Sequence, residues 1–156
     1  MHLTAGKILM SSSVMDDDHF KDSVLLISGH NKNGITGFVI NKRAERPLNA
    51  LQEFSNSPAF PLYDGGPVDT EHLFFIHRRA DLIASSSPIM DDLFIGGDFD
   101  RAVQLINKGM ITEADIKIFI GYCGWDDGEL EAEIEEGSWV LTDRHYDDVF
   151  NGKFYF

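Results

Sequence analysis

The sequence predicts an α+β fold in a single compact domain spanning residues 1–156. Three observations predict it. Short apolar runs rich in β-branched and aromatic residues recur along the chain. Helical patterns are few and do not alternate regularly with those runs, which argues against a doubly wound parallel sheet. And 156 residues with 43% hydrophobic composition suit one ordinary core.

The elements follow in chain order. Residues 7–11 (Lys-Ile-Leu-Met-Ser) read as a short strand, and 12–21 as a polar, acidic stretch anchored by Phe20. Residues 23–28 are apolar on both faces and belong inside a sheet. The turn signal at 30–34 and the apolar run at 37–41 then make an antiparallel hairpin. Leu48, Leu51 and Phe54 stand at helical spacing after Pro47, a residue suited to a first helical turn. Residues 61–63 read as extended, Asp64-Gly65-Gly66-Pro67 as a tight turn, and 73–77 as a strand. Residues 82–88 read as extended and serine-rich, and 93–96 as a strand. Asp98 is a good N-cap for a helix over 99–108, which Gly109 stops. A strand at 116–120, a helix at 128–136 and a last strand at 138–141 complete the pattern.

Composition narrows the function. No apolar run approaches the roughly 20 residues of a membrane span. The N-terminus has no basic stretch followed by an apolar core, so no secretory signal is expected. One cysteine excludes an internal disulfide framework. These features point to a cytoplasmic protein. The chain carries 26 acidic against 13 basic residues, a net charge of −13. That field repels phosphate backbones, and the basic residues form no stripe, so direct nucleic-acid binding is not expected. The acidity favours solubility, or else a basic protein partner.

Residues 119–131 (Phe-Ile-Gly-Tyr-Cys-Gly-Trp-Asp-Asp-Gly-Glu-Leu-Glu) are the most informative stretch. Gly121 and Gly124 suggest that the strand ends in a sharp turn, which would bring a thiol, Cys123, to a helix N-terminus. A nearby histidine would make that thiol a nucleophile. However, Trp125 stands where a nucleophile elbow needs glycine, and Asp126 and Asp127 would raise the thiol pKa. A small buried filler fits better. His30 and His77 each end an apolar strand, and with Asp17 and Asn41 they could form one polar cluster or could merely tie down their own loops. No His-x-x-x-His or Cys-x-x-Cys spacing supports zinc, so no metal or cofactor is expected. Residues 126–136 hold seven acidic residues and no basic one. Such a run is usually a solvated face, with Leu130 and Ile134 turned inward and Trp125 and Trp139 clamping the helix.

Gly6 through Leu9, Ser12, Met15, Asp17, Phe20, Ser23 through Leu26, His30, Gly34, Gly37, Val39 and Asn41 form one series of motif residues. Tyr63 through Val68, His77, Gly121, Tyr122, Gly124, Trp125, Gly128, Leu130, Glu131, Ser138 and Trp139 continue it. In this order they make the chain resemble the AlgH/YqgE-like family of small bacterial proteins, and Gly96 through Phe99 resembles its Bacteroidetes form. The resemblance implies a compact α+β domain with a mixed or antiparallel, partly barrelled sheet flanked by helices. It also brings the label of transcriptional regulator, although no helix-turn-helix with basic recognition residues is visible. Departures from the family pattern are Asp18 and Arg43 for proline, Asp22 for arginine, Glu129 for glutamine, Cys123 for alanine or serine, and a C-terminus shorter than usual.

The expected function is a non-catalytic, regulatory protein that binds a small ligand or a protein partner. The expected binding residues are Asp17, His30, Asn41, Gly65, Gly66, His77, Gly121, Tyr122, Gly124 and Trp125. The resemblance concentrates there, and the glycines permit close backbone approach. The alternative is a Cys–His enzyme or a thiol-based redox sensor using Cys123.

Overall fold

The computed structural model of the protein describes residues 3–156; His2, which has polar sequence surroundings and carries no functional expectation, lies outside them. The strands are β1 (Ile8–Ser11), β2 (Val24–Asn31), β3 (Gly34–Val39), β4 (Leu62–Asp64), β5 (Val68–His77), β6 (Ser87–Met90), β7 (Leu93–Ile95), β8 (Ile116–Asp126) and β9 (Trp139–Leu141). The helices are α1 (Phe99–Asn107), α2 (Glu129–Glu135) and α3 (Asp148–Asn151). The strands form one sheet in the order β6-β7-β5-β8-β3-β2-β1-β9, with β4 beside β8, and the sheet does not close on itself. Among the described residues only the β4–β8 pairing is parallel. The predicted α+β class with a mixed, largely antiparallel sheet is what forms.

Strand β2 shows why a continuous apolar run becomes an interior strand. Leu25 and Ile27 face one core layer with Leu9, Val39, Trp125, Leu130 and Trp139. Val24 and Leu26 face another with Ile8, Phe38 and Phe119. A third layer forms where α1 packs Ala102, Leu105 and Ile106 against Leu62, Phe75, Ile116 and Ile118. Helix α1 starts as its sequence dictates, with the Asp98 carboxylate accepting from the Arg101 N–H.

The largest correction concerns residues 121–125. They are not a turn: β8 runs without interruption to Asp126. Gly121 adopts φ +73°, so the strand kinks there and changes partners instead of reversing. Its first part pairs with β5 on one side and β4 on the other, and residues 123–126 pair with β3. Cys123 therefore sits within a strand, and the helix opens only at Glu129, after Gly128 at φ +82°.

Smaller corrections follow from tertiary hydrogen bonding. The helix expected at 48–54 is two 3₁₀ turns, Leu48–Ala50 and Gln52–Phe54, split by an extended Leu51. The Leu48 N–H donates to the Phe60 carbonyl, 2.8 Å away, which ties the first turn to the tight turn in which the Phe60 N–H donates to the Pro58 carbonyl. Residues 82–86 form turns, held by Ser86 Oγ donating to the Ile83 carbonyl, and the extended strand begins at Ser87. Helix α3 is too short to leave a periodic signal.

Candidate functional site

The predicted glycines assemble first. Strand β4 leads into Asp64-Gly65-Gly66, which stitches β3 to β8: the Val39 N–H donates to the Gly65 carbonyl, and the Gly65 N–H donates to the Ile120 carbonyl. The Cys123 thiol also donates to the Gly65 carbonyl, at 3.2 Å. A Cβ on Gly66 would lie 2.6 Å from Cys123 Sγ, and one on Gly121 would run into the Gly66 carbonyl. Gly65, Gly66, Gly121 and Cys123 thus form a packed strand crossing. Burial pushes the Cys123 thiol up to about 12, so it stays protonated at neutral pH. This environment favours neither the nucleophile nor the redox reading.

The neighbouring aromatics are packing groups too. Tyr122 lies edge-on to Phe74, and Trp125 stacks on Phe20 and meets Trp139 edge-on. Trp139 donates its indole N–H to Glu133, which holds α2 on the sheet as the flanking tryptophans suggested. Gly124 is exposed between them.

The polar landmarks fall in separate places. His77 is fully buried between Phe75 and Phe94. Its Nε2 faces the Gly96 carbonyl at 3.0 Å and Ser86 Oγ at 2.9 Å, while Nδ1 accepts from the Arg79 N–H. A carbonyl only accepts, so Nε2 carries the proton. Burial holds the ring below its ordinary pKa. Asn41 is consumed differently: its Oδ1 accepts from the Val24 N–H, and its Nδ2 donates to the Asp22 carbonyl. Asp17 accepts from the His19 N–H in a local turn. His30 lies at the far end of the β2–β3 hairpin from Asn41. The ten residues therefore do not line one common pocket.

Two roomier hollows stand out among the described residues, and neither has a strong signal in the sequence. One, of about 270 Å³, is lined by Ile40, Asn41, Tyr63, Lys117, Gly152 and Phe154. Lys117 lies in its wall, donating to the carbonyls of Ile40 and Val149 at 2.8 and 2.9 Å, with its ammonium 4.1 Å from the Tyr63 ring centre. Burial lowers its pKa to about 8. The available signal was a lone lysine in an otherwise apolar run, Ile116 to Ile120.

The second hollow, an open cleft of about 590 Å³, is lined by Lys42, Arg43, Ala44, Glu45, Arg46, Asp64 and Ile120. Pairing of this loop with β4, through the Ala44 N–H to the Leu62 carbonyl and the Asp64 N–H to the Lys42 carbonyl, sets the basic cluster Lys42, Arg43 and Arg46 beside Asp64 and Ile120. The Lys42 ammonium is engaged by the carbonyls of His19 and Lys21. The exposed Arg43 and Arg46 have no carboxylate partner among the described residues. Among those residues no helix is long and apolar enough to cross a membrane.

The AlgH-like family profile matches residues 8–155. A UPF0301 protein of Chlorobium luteolum is 38% identical over 152 residues, covering 97% of this chain and 80% of that protein. A UPF0301 protein of Cytophaga hutchinsonii is 38% identical over 149 residues, covering 95% of this chain and 82% of that one. Among solved structures, the AlgH protein from Pseudomonas aeruginosa superposes with a TM-score of 0.75 at 26% identity, covering 97% of this chain and 85% of that one. A Corynebacterium diphtheriae protein shares the fold at the same TM-score and 22% identity, with 97% and 81% covered.

Proposed function

This chain belongs to the AlgH-like family, and from that premise we propose that it is a non-catalytic, regulatory binding protein whose ligand is a small organic anion held in the Arg43–Arg46 cleft. One observation carries the reading: in a chain of net charge −13, two guanidinium groups without carboxylate partners line the same concave surface. Guanidinium groups suit bidentate recognition of carboxylate or phosphate. Ile120 supplies an apolar contact for the ligand body, and Asp64 with Glu45 would discriminate against ligands carrying negative charge on that side. The non-catalytic part of the reading is supported by Cys123 being sealed and by His77 having both ring nitrogens committed to structural partners.

The test is a thermal-shift and calorimetric comparison of the wild type with an Arg43→Ala/Arg46→Ala variant against citrate, AMP and inorganic phosphate. Stabilisation by citrate or AMP beyond that given by inorganic phosphate, lost in the double variant, is the expected result. Equal responses from both proteins, or none from either, would refute the proposal.

A further inference from the structure

We propose that His30, Asp127 and Glu131 form a binding site for a divalent first-row transition cation of the Zn²⁺ class. One ring nitrogen of His30 and one carboxylate oxygen from each of Asp127 and Glu131 lie within 4.8 Å of one another. With metal–ligand bonds of roughly 2.0–2.2 Å, small side-chain rotations bring such a trio onto one ion.

The fold builds this trio from distant parts of the chain. A bulge between Ile27 and Gly29 shifts the β2 register so that His30 pairs with Ile35, which in turn pairs with Trp125. Paired residues share a sheet face, so His30 joins the side that α2 covers. At the same sheet end Asp126 pairs with Gly34, which delivers Asp127 next to the hairpin tip. Asp127 lies in the turn before α2 and Glu131 in the first turn of the helix, so the left-handed Gly128 between them folds the two carboxylates towards each other.

Two further observations point to a ligand. His30 Nδ1 hydrogen-bonds the Leu3 carbonyl. That carbonyl only accepts, so the proton sits on Nδ1 and Nε2 keeps a free lone pair; metal-bound histidines are commonly oriented through their other ring nitrogen in this way. Glu131 Oε1 is shielded from solvent and has no hydrogen-bond partner among the described residues. A shielded carboxylate oxygen without a donor is costly, and a cation supplies what is missing.

The donor set selects the class of ion. An imidazole favours Zn²⁺, Fe²⁺ or Ni²⁺ over Ca²⁺ and Mg²⁺, which prefer oxygen ligands alone. Two carboxylates neutralise the ion's charge, and neither makes an ion pair with a lysine or arginine among the described residues. The positive end of a helix repels cations, so attraction comes from the side chains alone. Three protein ligands leave a position open to water or to a donor from a partner. The site lies at the opposite end of the β2–β3 hairpin from Asn41 and is independent of the arginine cleft.

The test is calorimetry of untagged, chelator-treated protein with Zn²⁺, Mg²⁺ and Ca²⁺. One Zn²⁺ per chain is expected, with Asp127→Asn and Glu131→Gln each weakening binding at least about tenfold. Asp126→Asn and Glu135→Gln, acidic neighbours outside the trio, should leave it unchanged. Circular dichroism of each variant confirms folding, and the exposed Asp127 makes its asparagine variant the safest probe. No bound Zn²⁺, equal affinity in both ligand variants, or Mg²⁺ and Ca²⁺ binding as tightly as Zn²⁺ would each overturn the proposal.

Discussion

Cys123 donates its thiol hydrogen to the carbonyl of Gly65, 3.2 Å away, where β3, β8 and the 64–66 segment meet. The bond sits in a fully buried crossing, so the thiol behaves as a packing group. Maleimide should label the native protein far more slowly than the urea-unfolded chain, and Cys123→Ala should cost about 1–2 kcal/mol. The folded thiol pKa is raised from 9.0 to about 12. Above pH 9 the unfolded chain therefore loses a proton that the folded chain keeps, and stability falls as pH rises from 9 towards 12. Cys123→Ala should remove that part of the fall in urea denaturation. Rapid labelling of the native protein would contradict the assignment.

Gly121 and Gly128 both have positive φ, but only Gly121 is crowded. Gly128→Ala should cost about 1 kcal/mol, the ordinary price of a left-handed alanine. Gly121→Ala must also displace the Gly66 carbonyl, so a loss of roughly 3 kcal/mol or more is expected. Equal losses in denaturant titrations would show that β8 does not kink as described.

His77 should make the protein acid-sensitive. Burial lowers its folded pKa below 6.5, so below pH 6.5 the unfolded chain takes up a proton that the folded ring resists. Stability is therefore complete above that pH and is lost as pH falls through the folded value. His77→Leu should flatten this dependence. It should also cost about 2–4 kcal/mol at pH 7, because the Arg79 N–H and the Gly96 carbonyl lose their partner.

Lys117 acts in the opposite pH range. Its pKa falls from 10.5 to about 8 on folding. Between these values the unfolded chain binds more protons, so this group raises stability as pH climbs from 8 to 10.5. Urea denaturation of Lys117→Met in the Cys123→Ala background should show the rise removed. An unchanged slope would mean that the carbonyls of Ile40 and Val149 and the Tyr63 ring offset the cost of burying the ammonium.

Much of the architecture is legible because it rests on local pattern. Alternating and continuous apolar runs mark β1, β2, β3, β5, β7 and β9, and Asp98 and Gly109 bracket α1. The errors cluster where glycine is ambiguous. Gly121 looks like a turn in sequence because φ above zero usually ends a strand, yet here it lets one strand serve two sets of partners. The 48–54 segment fails for a different reason: helical spacing is present, but so short a run has little helical preference of its own, and an extended Leu51 splits it into two 3₁₀ turns.

By itself the sequence determined the fold class, the family resemblance, the acidic character and which side chains fill the core, since these depend on residue type and short-range spacing. The tertiary structure decided what the polar residues do. It committed His77 and Asn41 to backbone partners, set Asp64 and Ile120 beside Arg43 and Arg46 in one cleft, and brought His30 within reach of Asp127 and Glu131. The physical reason is that these placements depend on strand register, one bulge and one kink, and a shift of a single residue turns a side chain to the other face of a sheet.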